Sequence, residues 1–587
     1  MSAPVSSPLV LILGLGISGL AMARWCASQG MRVRVADTRT EPPHAHTLQN
    51  EVSGVECVVG QPLSAQLLCS AVGHVEASAV YCSPGLPLEQ VAPVREAAAN
   101  AGVFFGGELD LFSQALHQLQ QQHGYTPHVL AITGTNGKTT VTSLTGQLLS
   151  RVGMRVAVAG NIGPSLLDTL AQAMGVANAA KAQQDAQTSE AASESVPVSL
   201  NPDQATDMGE PERLDPMDDG VEEVAQTLAE PEVRNAFVDA MPQAWVLELS
   251  SFQLEYSTGF EPTAAVILNI SQDHLDWHGS AQAYLQAKAK IYGNRATIVL
   301  NRDDVATVAF MPQVLAKTQV LKTGRTSKSV AVERSVIRFG LDLPELYGDW
   351  GVETINGMLW LARVVGDESL SVQKTTRGRK AQVQELFMQR LMPADAMRIR
   401  GRHNVSNALA ALALSSTTGA GLAAMLHGLR EYRGEPHRVQ TIGVVAGVEY
   451  IDDSKGTNVG ATEAALRGLA GTRKLVVILG GDGKGQDFSP LAQPVQQAAR
   501  AVVLIGRDAQ RIAQALAATE VPMVCAESLE AAVEQASALA HEGDAVLLSP
   551  ACASLDMFKN YAHRAEVFTE RVRALALDAG HELEVWA

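Results

Sequence analysis

The run Ala131-Ile-Thr-Gly-Thr-Asn-Gly-Lys-Thr-Thr140 decides how the rest of the chain is read. Ahead of it, the apolar stretch His128-Val-Leu-Ala-Ile132 predicts a buried strand. Behind it, Lys138-Thr-Thr-Val-Thr-Ser-Leu opens a helical pattern. Strand, glycine loop, Lys-Thr and helix make a phosphate cradle. Gly134 and Gly137 let backbone N–H groups turn inward, and the helix N-terminus adds the positive end of its dipole. Lys138 would reach the outer phosphates and Thr139 would offer its hydroxyl to Mg²⁺, with Thr135, Asn136 and Thr140 completing the loop. The usual G-x-x-x-x-G-K-[ST] spacing asks for glycine where this chain has Ile132, so the match is to a shorter GTNGKT form. The predicted ligand is a nucleoside triphosphate.

Outward from that loop, composition sets the frame. At 587 residues the chain is too long for one core, and about three domains are expected. Hydrophobic residues at 46% with 18% charged describe a soluble globular protein, and a net charge of −17 argues against a nucleic-acid binder. Residues 181–240 hold fifteen acids against three bases, so the remainder is only mildly acidic. From about 175 to 235 the chain is rich in Ala, Gln, Ser, Asp and Glu and poor in large apolar side chains. Such a segment cannot offset its ordering entropy, and a mostly disordered acidic insertion is expected there, with a short helix near 220–228. Cys26, Cys57, Cys69, Cys82, Cys525 and Cys552 form no C-x-x-C pair and no zinc spacing, which fits reduced core thiols of a cytoplasmic protein. The run Leu9-Val-Leu-Ile-Leu lacks the basic flank of a signal peptide. No apolar segment reaches the roughly 20 residues that span a bilayer, so no membrane insertion is expected.

The N-terminal part reads as strand 9–13, Gly14-Leu-Gly-Ile-Ser-Gly19, a helix, and a second strand ending at Asp37-Thr38-Arg39. This is a dinucleotide-type fingerprint in its expected context, with Gly16, Ile17 and Ser18 at the helix start. A later strand runs into Ser83-Pro84-Gly85, and strand ends of this kind face the crevice of an open α/β sheet. After the phosphate loop, Val156–Gly160 leads into Asn161-Ile-Gly163. Trp245-Val-Leu-Glu248 is a strand carrying a carboxylate, a candidate for a Mg²⁺ shell. The strand 264–270 ends in Asp273-His274-Leu-Asp276-Trp-His278, which suits a metal or a general base. Lys288 and Lys290, on the following helix, read as solvated by default. Between 303 and 398 the rest of the central sheet is inferred. Asn404 or Asn407 caps the alanine-rich helix or faces a base. The last part alternates strands and helices around Asp452-Asp-Ser-Lys455, Gly480-Gly-Asp-Gly-Lys484 and Ser549–Phe558, a second Rossmann-like unit.

Together these motifs resemble the Mur ligases. GLGISG, Asp37-Thr-Arg39, Ser83-Pro-Gly85, GTNGKTT, GNIG, ELSSFQLE, DHLDWH, AKAKIY, GRHNVSNALAALAL, EPHR, DDSKGTN, GGDGKG and SPACASLDMFKNY stand in family order over nearly the whole chain. The resemblance implies an α/β protein of three domains. Residues 1–107 form a Rossmann-like unit for a UDP-sugar, 108–435 a P-loop unit for ATP, and 436–587 a Rossmann-like unit for the incoming amino acid. It implies that ATP phosphorylates the carboxylate of UDP-N-acetylmuramoyl-L-alanine and that D-glutamate attacks the acyl phosphate, in a monomer with two Mg²⁺. By the same resemblance Lys138 and Thr139 hold phosphates and metal, and Glu248 and His274 hold metal. Lys288 becomes a carbamate that binds the second Mg²⁺, which overrides the solvated default. Asn404 and Arg438 are similar to ATP contacts, and Asn161 to a sugar-nucleotide contact. His437, Lys455, Ser554, Leu555 and Tyr561 fall at substrate positions, Tyr561 where the family often has Phe. The alternatives are a related amide ligase with another acceptor or amino acid, and a dehydrogenase using NAD at Gly14–Gly19.

Overall fold

Apolar strand runs alternate with helical ones along the whole chain, and the result is three sheets in succession. The computed structural model describes residues 7–194, 235–315, 318–323, 326–331, 334–366, 386–470, 473–580 and 583. The first sheet holds β1 (Leu9–Leu13), β2 (Arg32–Asp37), β3 (Glu56–Val59), β4 (Ala77–Cys82) and β5 (Phe104–Gly107), all parallel, in the order β3-β2-β1-β4-β5. Every residue of β1 is buried, which is why it reads as an unbroken apolar run. Strand order reverses at β1, so the crevice beyond β1 and β4 is a topological switch point. Gly14–Gly19 and Ser83–Gly85 leave from those two strand ends.

The second sheet holds β6 (His128–Thr133), β7 (Val156–Gly160), β8 (Ala244–Glu248), β9 (Ala264–Ile267) and β10 (Thr297–Asn301). A hairpin of β11 (Thr318–Thr323) and β12 (Thr326–Ala331) follows. The sheet then continues with β13 (Val336–Phe339), β14 (Trp350–Ile355), β15 (Met358–Gly366) and β16 (Leu386–Pro393). Its order is β16-β15-β14-β13-β10-β9-β6-β8-β7, parallel from β14 to β7 and antiparallel at β15 and β16. β6 therefore lies between β8 and β9, and the phosphate loop emerges between their two polar ends. Ile132 pairs in register with Glu248 and is fully buried. At the position where the longer motif has its first glycine, this chain extends the strand by packing an isoleucine.

The third sheet holds β17 (Gln440–Val445), β18 (Val448–Asp452), β19 (Leu475–Gly480), β20 (Ala499–Ile505), β21 (Met523–Cys525) and β22 (Ala545–Leu548), ordered β17-β18-β22-β19-β20-β21. Only β17 is antiparallel.

Packing ties the phosphate loop to the middle of its unit. The helix Lys138–Arg151 that follows the loop buries Val141, Leu144 and Leu148 against the helix Arg402–Ser416, whose residues Ala408–Leu414 are inaccessible to solvent. Small side chains let two helices and a sheet meet closely, so the alanine run is a packing solution and not only a propensity signal. A second cluster runs from Ile12 and Trp25 through Phe112 to Trp245, with the Phe112 and Trp245 rings edge-to-face at 5.1 Å, so the first two units share apolar core.

Four sequence expectations change. The helix Leu166–Glu194 runs well past residue 175, so the stretch expected to be disordered begins as regular helix; the predicted helix near 220–228 lies outside the described residues. Alanine and glutamine carry strong helix propensity even where apolar surface is scarce. Neither Asn404 nor Asn407 caps the alanine-rich helix, whose N-cap is Gly401; Asn404 Nδ2 instead donates to Arg400 O at 2.8 Å. Lys288 is 1% exposed, and Lys290 pairs with Glu255 at 3.2 Å, so neither is a freely solvated lysine. His278 is packed, stacked on Phe252 at 5.7 Å and bonded to Ser251 Oγ at 2.9 Å. All six cysteines are free, and among the described residues no helix is long and apolar enough to cross a membrane.

Arg564 fastens the third unit. Fully buried, it donates from Nη2 to Ser454 O at 2.9 Å and to Cys552 O at 3.2 Å, joining the loop after β18 to the loop after β22. Burial pushes its guanidinium down to about 10. Arg564→Met leaves two buried carbonyls short of a donor and is expected to cost about 2–4 kcal/mol, read as a lower midpoint in urea unfolding.

Candidate active site

The loop Thr133–Lys138 is held by what lies beside it as much as by its own glycines. Gly137 has φ +82°, and a Cβ there would stand 2.6 Å from Asn407 Oδ1, so only glycine fits between loop and helix. The chain after β9 supplies the other wall. Thr135 N–H donates to Asn269 O at 2.9 Å, Asn136 N–H to Asn269 Oδ1 at 2.9 Å, and Asn269 Nδ2 returns a bond to Asn136 O at 3.1 Å. Thr135 Oγ1 also lies 3.2 Å from the Tyr284 hydroxyl.

Two buried amines meet on this loop. Lys138 Nζ donates to Gly134 O at 2.9 Å and Thr135 O at 2.8 Å; Lys288 Nζ donates to the same Gly134 O at 2.9 Å and to Thr133 Oγ1 at 3.2 Å. Burial lowers both from the ordinary lysine range, and for Lys288, well below it, the charge of Lys138 adds to the effect. Glu248, at the end of β8 and 2% exposed, pulls the other way on both. Its Oε1 accepts from Asn161 Nδ2 at 2.8 Å, while Oε2 is buried with no hydrogen-bond partner. An orphaned carboxylate oxygen of this kind fits a cation shell. His274 has φ +53° and packs edge-on to Phe252 at 4.7 Å. Burial lowers its pKa against the pull of Asp273, and the lysines 484, 138 and 288 lower it further. A neutral imidazole is the form that binds metal. Among the described residues no three His, Cys, Asp or Glu side chains converge as a ready-made metal cluster.

The third unit closes the cleft. Arg438 Nη2 donates to Thr139 Oγ1 at 2.5 Å, and Asn458 reaches Asn136. Lys455 N–H donates to His437 O at 3.1 Å, and Lys455 Nζ stands 3.7 Å from the centre of the Tyr561 ring, a cation–π contact. Burial, with Arg438 adding to it, pushes the Lys455 amine down to about 8. His437 Nδ1 lies 2.7 Å from the buried carboxylate of Asp452. Asp453, pushed up to about 7 by burial, accepts from Ser549 Oγ at 2.6 Å.

A cavity of about 440 Å³ between the second and third units brings together Asn136, Gly137, Thr140, Asn404, Arg438 and Lys455 from the predicted set. Asp453 also lines it, a residue the sequence offered only as a neighbour of Lys455. Lys484 is a further cation whose charge reaches His274; its GGDGKG turn was visible, but nothing in the spacing aimed it there. His437 lines a separate cavity of about 590 Å³ at the start of the helix Tyr561–Asp578. Ser554 is buried, while Leu555 is 70% exposed. The first-unit residues lie elsewhere, at the switch point. Asp37 Oδ2 accepts from Leu15 N–H at 2.7 Å, and its Oδ1 from Arg39 N–H at 2.9 Å. Burial acts to raise the Asp37 carboxyl, but the Arg39 guanidinium and these amides outweigh it and hold the carboxyl below its ordinary value. Ser83 N–H donates to Leu13 O at 2.8 Å, which seats Ser83-Pro84-Gly85 beside Gly14 and Gly16. Ile17 is 69% exposed, Ser18 bonds Glu108, and Thr38 sits between Asp37 and Arg39 at the loop surface.

A phosphate loop on one wall, cations from a separate α/β unit on the other, and a nucleotide-type crevice in a third unit define the class: a nucleotide-driven ligase with its site between domains. Comparison with known proteins carries this to a family. Residues 8–105 match the Mur ligase MurD-like N-terminal domain, 132–207 and 221–343 the Mur ligase middle domain, and 437–552 the Mur ligase glutamate ligase domain. The chain is 50% identical to the UDP-N-acetylmuramoylalanine–D-glutamate ligase of Albidiferax ferrireducens, over 97% of each chain. It is 49% identical to that of Burkholderia cenocepacia over 98% of each. Among solved structures it resembles the UDP-N-acetylmuramate–alanine ligase of Thermotoga maritima, with 18% identity, TM-score 0.47, and coverage of 96% of this chain and 99% of that one. The chain belongs to the Mur ligase family.

The depressed Lys455 amine makes the cleft pH-sensitive. It is charged below about 8 and loses its proton as pH rises through that value. Affinity of the third unit for a carboxylate ligand, tested with D-glutamate by titration calorimetry, is expected to weaken about tenfold between pH 7 and pH 9.5, and Lys455→Arg to flatten the profile.

Proposed function

We propose that this protein is the ATP-dependent ligase that joins D-glutamate to UDP-N-acetylmuramoyl-L-alanine through an acyl phosphate, in peptidoglycan precursor synthesis. The near-full-length identity of 44–50% to ligases bearing that name carries the reading. The shared cavity of phosphate loop and third-unit cations supports it physically.

A carboxylate is a poor acylating agent until one of its oxygens has become a phosphate leaving group. The amine of Lys138 and the guanidinium of Arg438 offset the repulsion between a triphosphate and an incoming carboxylate. The N–H groups from Gly137 into the first turn of the helix Lys138–Arg151, together with the helix dipole, orient the phosphates. In the first unit, Gly16–Ser18, Asp37–Arg39 and Ser83–Gly85 are assigned to the UDP-sugar, with Asn161 on the path toward the phosphate loop. On the third unit, His437, Lys455, Ser554, Leu555 and Tyr561 are assigned to D-glutamate. Residue 561 keeps its aromatic face on Lys455, a role Phe fills equally, so the Tyr hydroxyl is not needed for that contact.

Mg²⁺ fits the residues present. Thr139 Oγ1, the unpartnered Glu248 Oε2 and the neutral His274 would hold it, and the bound ion would supply charge neutralisation on the phosphates. Lys288 suits carbamylation because the reaction needs a neutral amine. Its nitrogen attacks CO₂, a proton leaves, and a carboxylate results. That carboxylate would give a second Mg²⁺ the anionic ligand that a lysine lacks.

In a phosphate-release assay with ATP and UDP-N-acetylmuramoyl-L-alanine, a panel of amino acids is expected to show turnover with D-glutamate alone. Equal rates with another amino acid would redirect the assignment. Lys138→Ala is expected to lower that turnover by about 10²–10³-fold. For Lys288, protein equilibrated with ¹³C-bicarbonate is expected to give a carbamate ¹³C resonance that Lys288→Arg lacks.

A further inference from the structure

The helix Val459–Leu469 belongs to the third unit, yet its first turn sits on the phosphate loop of the second. We propose that Asn458 is a positioning residue that couples docking of the third unit to the conformation of the phosphate loop. Its side chain does two jobs at once. Oδ1 accepts from Ala461 N–H at 2.9 Å, capping the helix. That bond fixes which end of the amide is oxygen, so the NH₂ group must point away from the helix. There it donates to Asn136 Oδ1 at 3.1 Å and lies 3.5 Å from Asp273 Oδ2.

Both receiving residues are bound into the site. Asn136 is clamped to Asn269 by the reciprocal bonds described above, and Asp273 precedes His274. The path therefore runs from a helix cap in one unit, through one amide, to the loop that orients phosphates and to the strand end that carries the imidazole. Gly460 shows how tight the seat is. A Cβ at that position would stand 2.9 Å from Ser271 Oγ and 3.2 Å from Asn136 Nδ2, so the helix can approach only where it presents no side chain. Asn458 itself is 6% exposed. Separating the two units breaks its bonds to Asn136 and Asp273 and leaves the cap bond intact, so the residue distinguishes docked from undocked without changing its own helix.

This coupling rests on the ligase reading for its kinetic consequence but not for its structural one, and the test uses both. Asn458→Asp keeps a capping oxygen, loses the donor, and sets a carboxylate against Asp273. Asn458→Ser also caps but is too short to bridge. Asn458→Ala removes both functions. For the Asp and Ser variants the expected result is a Tm within about 2 °C of wild type, with kcat for phosphate release about five- to tenfold lower. Small-angle scattering with a non-hydrolysable ATP analogue is expected to show a more extended particle than wild type. Full turnover and wild-type scattering in Asn458→Asp would overturn the proposal. So would a loss of Tm in Asn458→Asp as large as in Asn458→Ala, because the residue's work would then be capping. If wild type itself releases no phosphate with acceptor and D-glutamate, the ligase reading fails, while the scattering comparison still decides the role of Asn458.

Discussion

Two lysine amines share one carbonyl oxygen, that of Gly134, Lys288 fully buried and Lys138 partly so. Most of the site follows from this. Like charges gathered on one acceptor in a poorly solvated setting repel, and the protein answers with depressed amine pKa values and with the carboxylates of Glu248 and Asp273. Lys138, Arg438 and Lys455 offer positive charge to a polyanion, and the crowding of amines favours a neutral, nucleophilic Lys288.

Strand order makes that crowding available. β6 stands between β8 and β9, so Glu248, the phosphate loop and the Asn269–His274 segment leave the sheet side by side. The helix Arg402–Ser416, some 270 residues further along the chain, packs behind the loop and brings Asn404 and Asn407 to it. The third unit completes the cleft with Arg438 on Thr139 and Asn458 on Asn136. At the other end, Glu108 joins the first two units: its carboxyl accepts from Leu167 N–H at 3.2 Å and bonds Ser18, and burial pushes it up to about 6. Each of the two seams thus carries a polar side chain with one partner on its own unit and another on the opposite unit.

The motifs that turn backbone into chemistry were legible in the sequence because glycine, lysine and strand-end acids leave a local signature. GTNGKT, GLGISG, Glu248 within an apolar strand and DDSKGTN could each be read in place. Elsewhere the structure decides what the local pattern leaves open. Asn404 could cap its helix or face a base; the N-cap is Gly401, and the Asn404 side chain bonds the carbonyl of Arg400 four residues back while lining the cleft. His278 shares a motif with His274, but an aromatic cluster around Phe252 absorbs it as core. The acidic stretch reads as disordered from 175, whereas helix propensity carries regular structure to Glu194.

By itself the sequence determined the three α/β units, the phosphate loop and the family, since periodicity and glycine spacing are properties of neighbours in the chain. It did not determine that Lys138 and Lys288 would meet on one carbonyl, that Lys455 would lie against Tyr561, or that the cap of one helix would reach the loop of another unit. Those depend on which strands pair and which helices stack. Burial then sets the charge state of each amine, and burial exists only once the chain has folded.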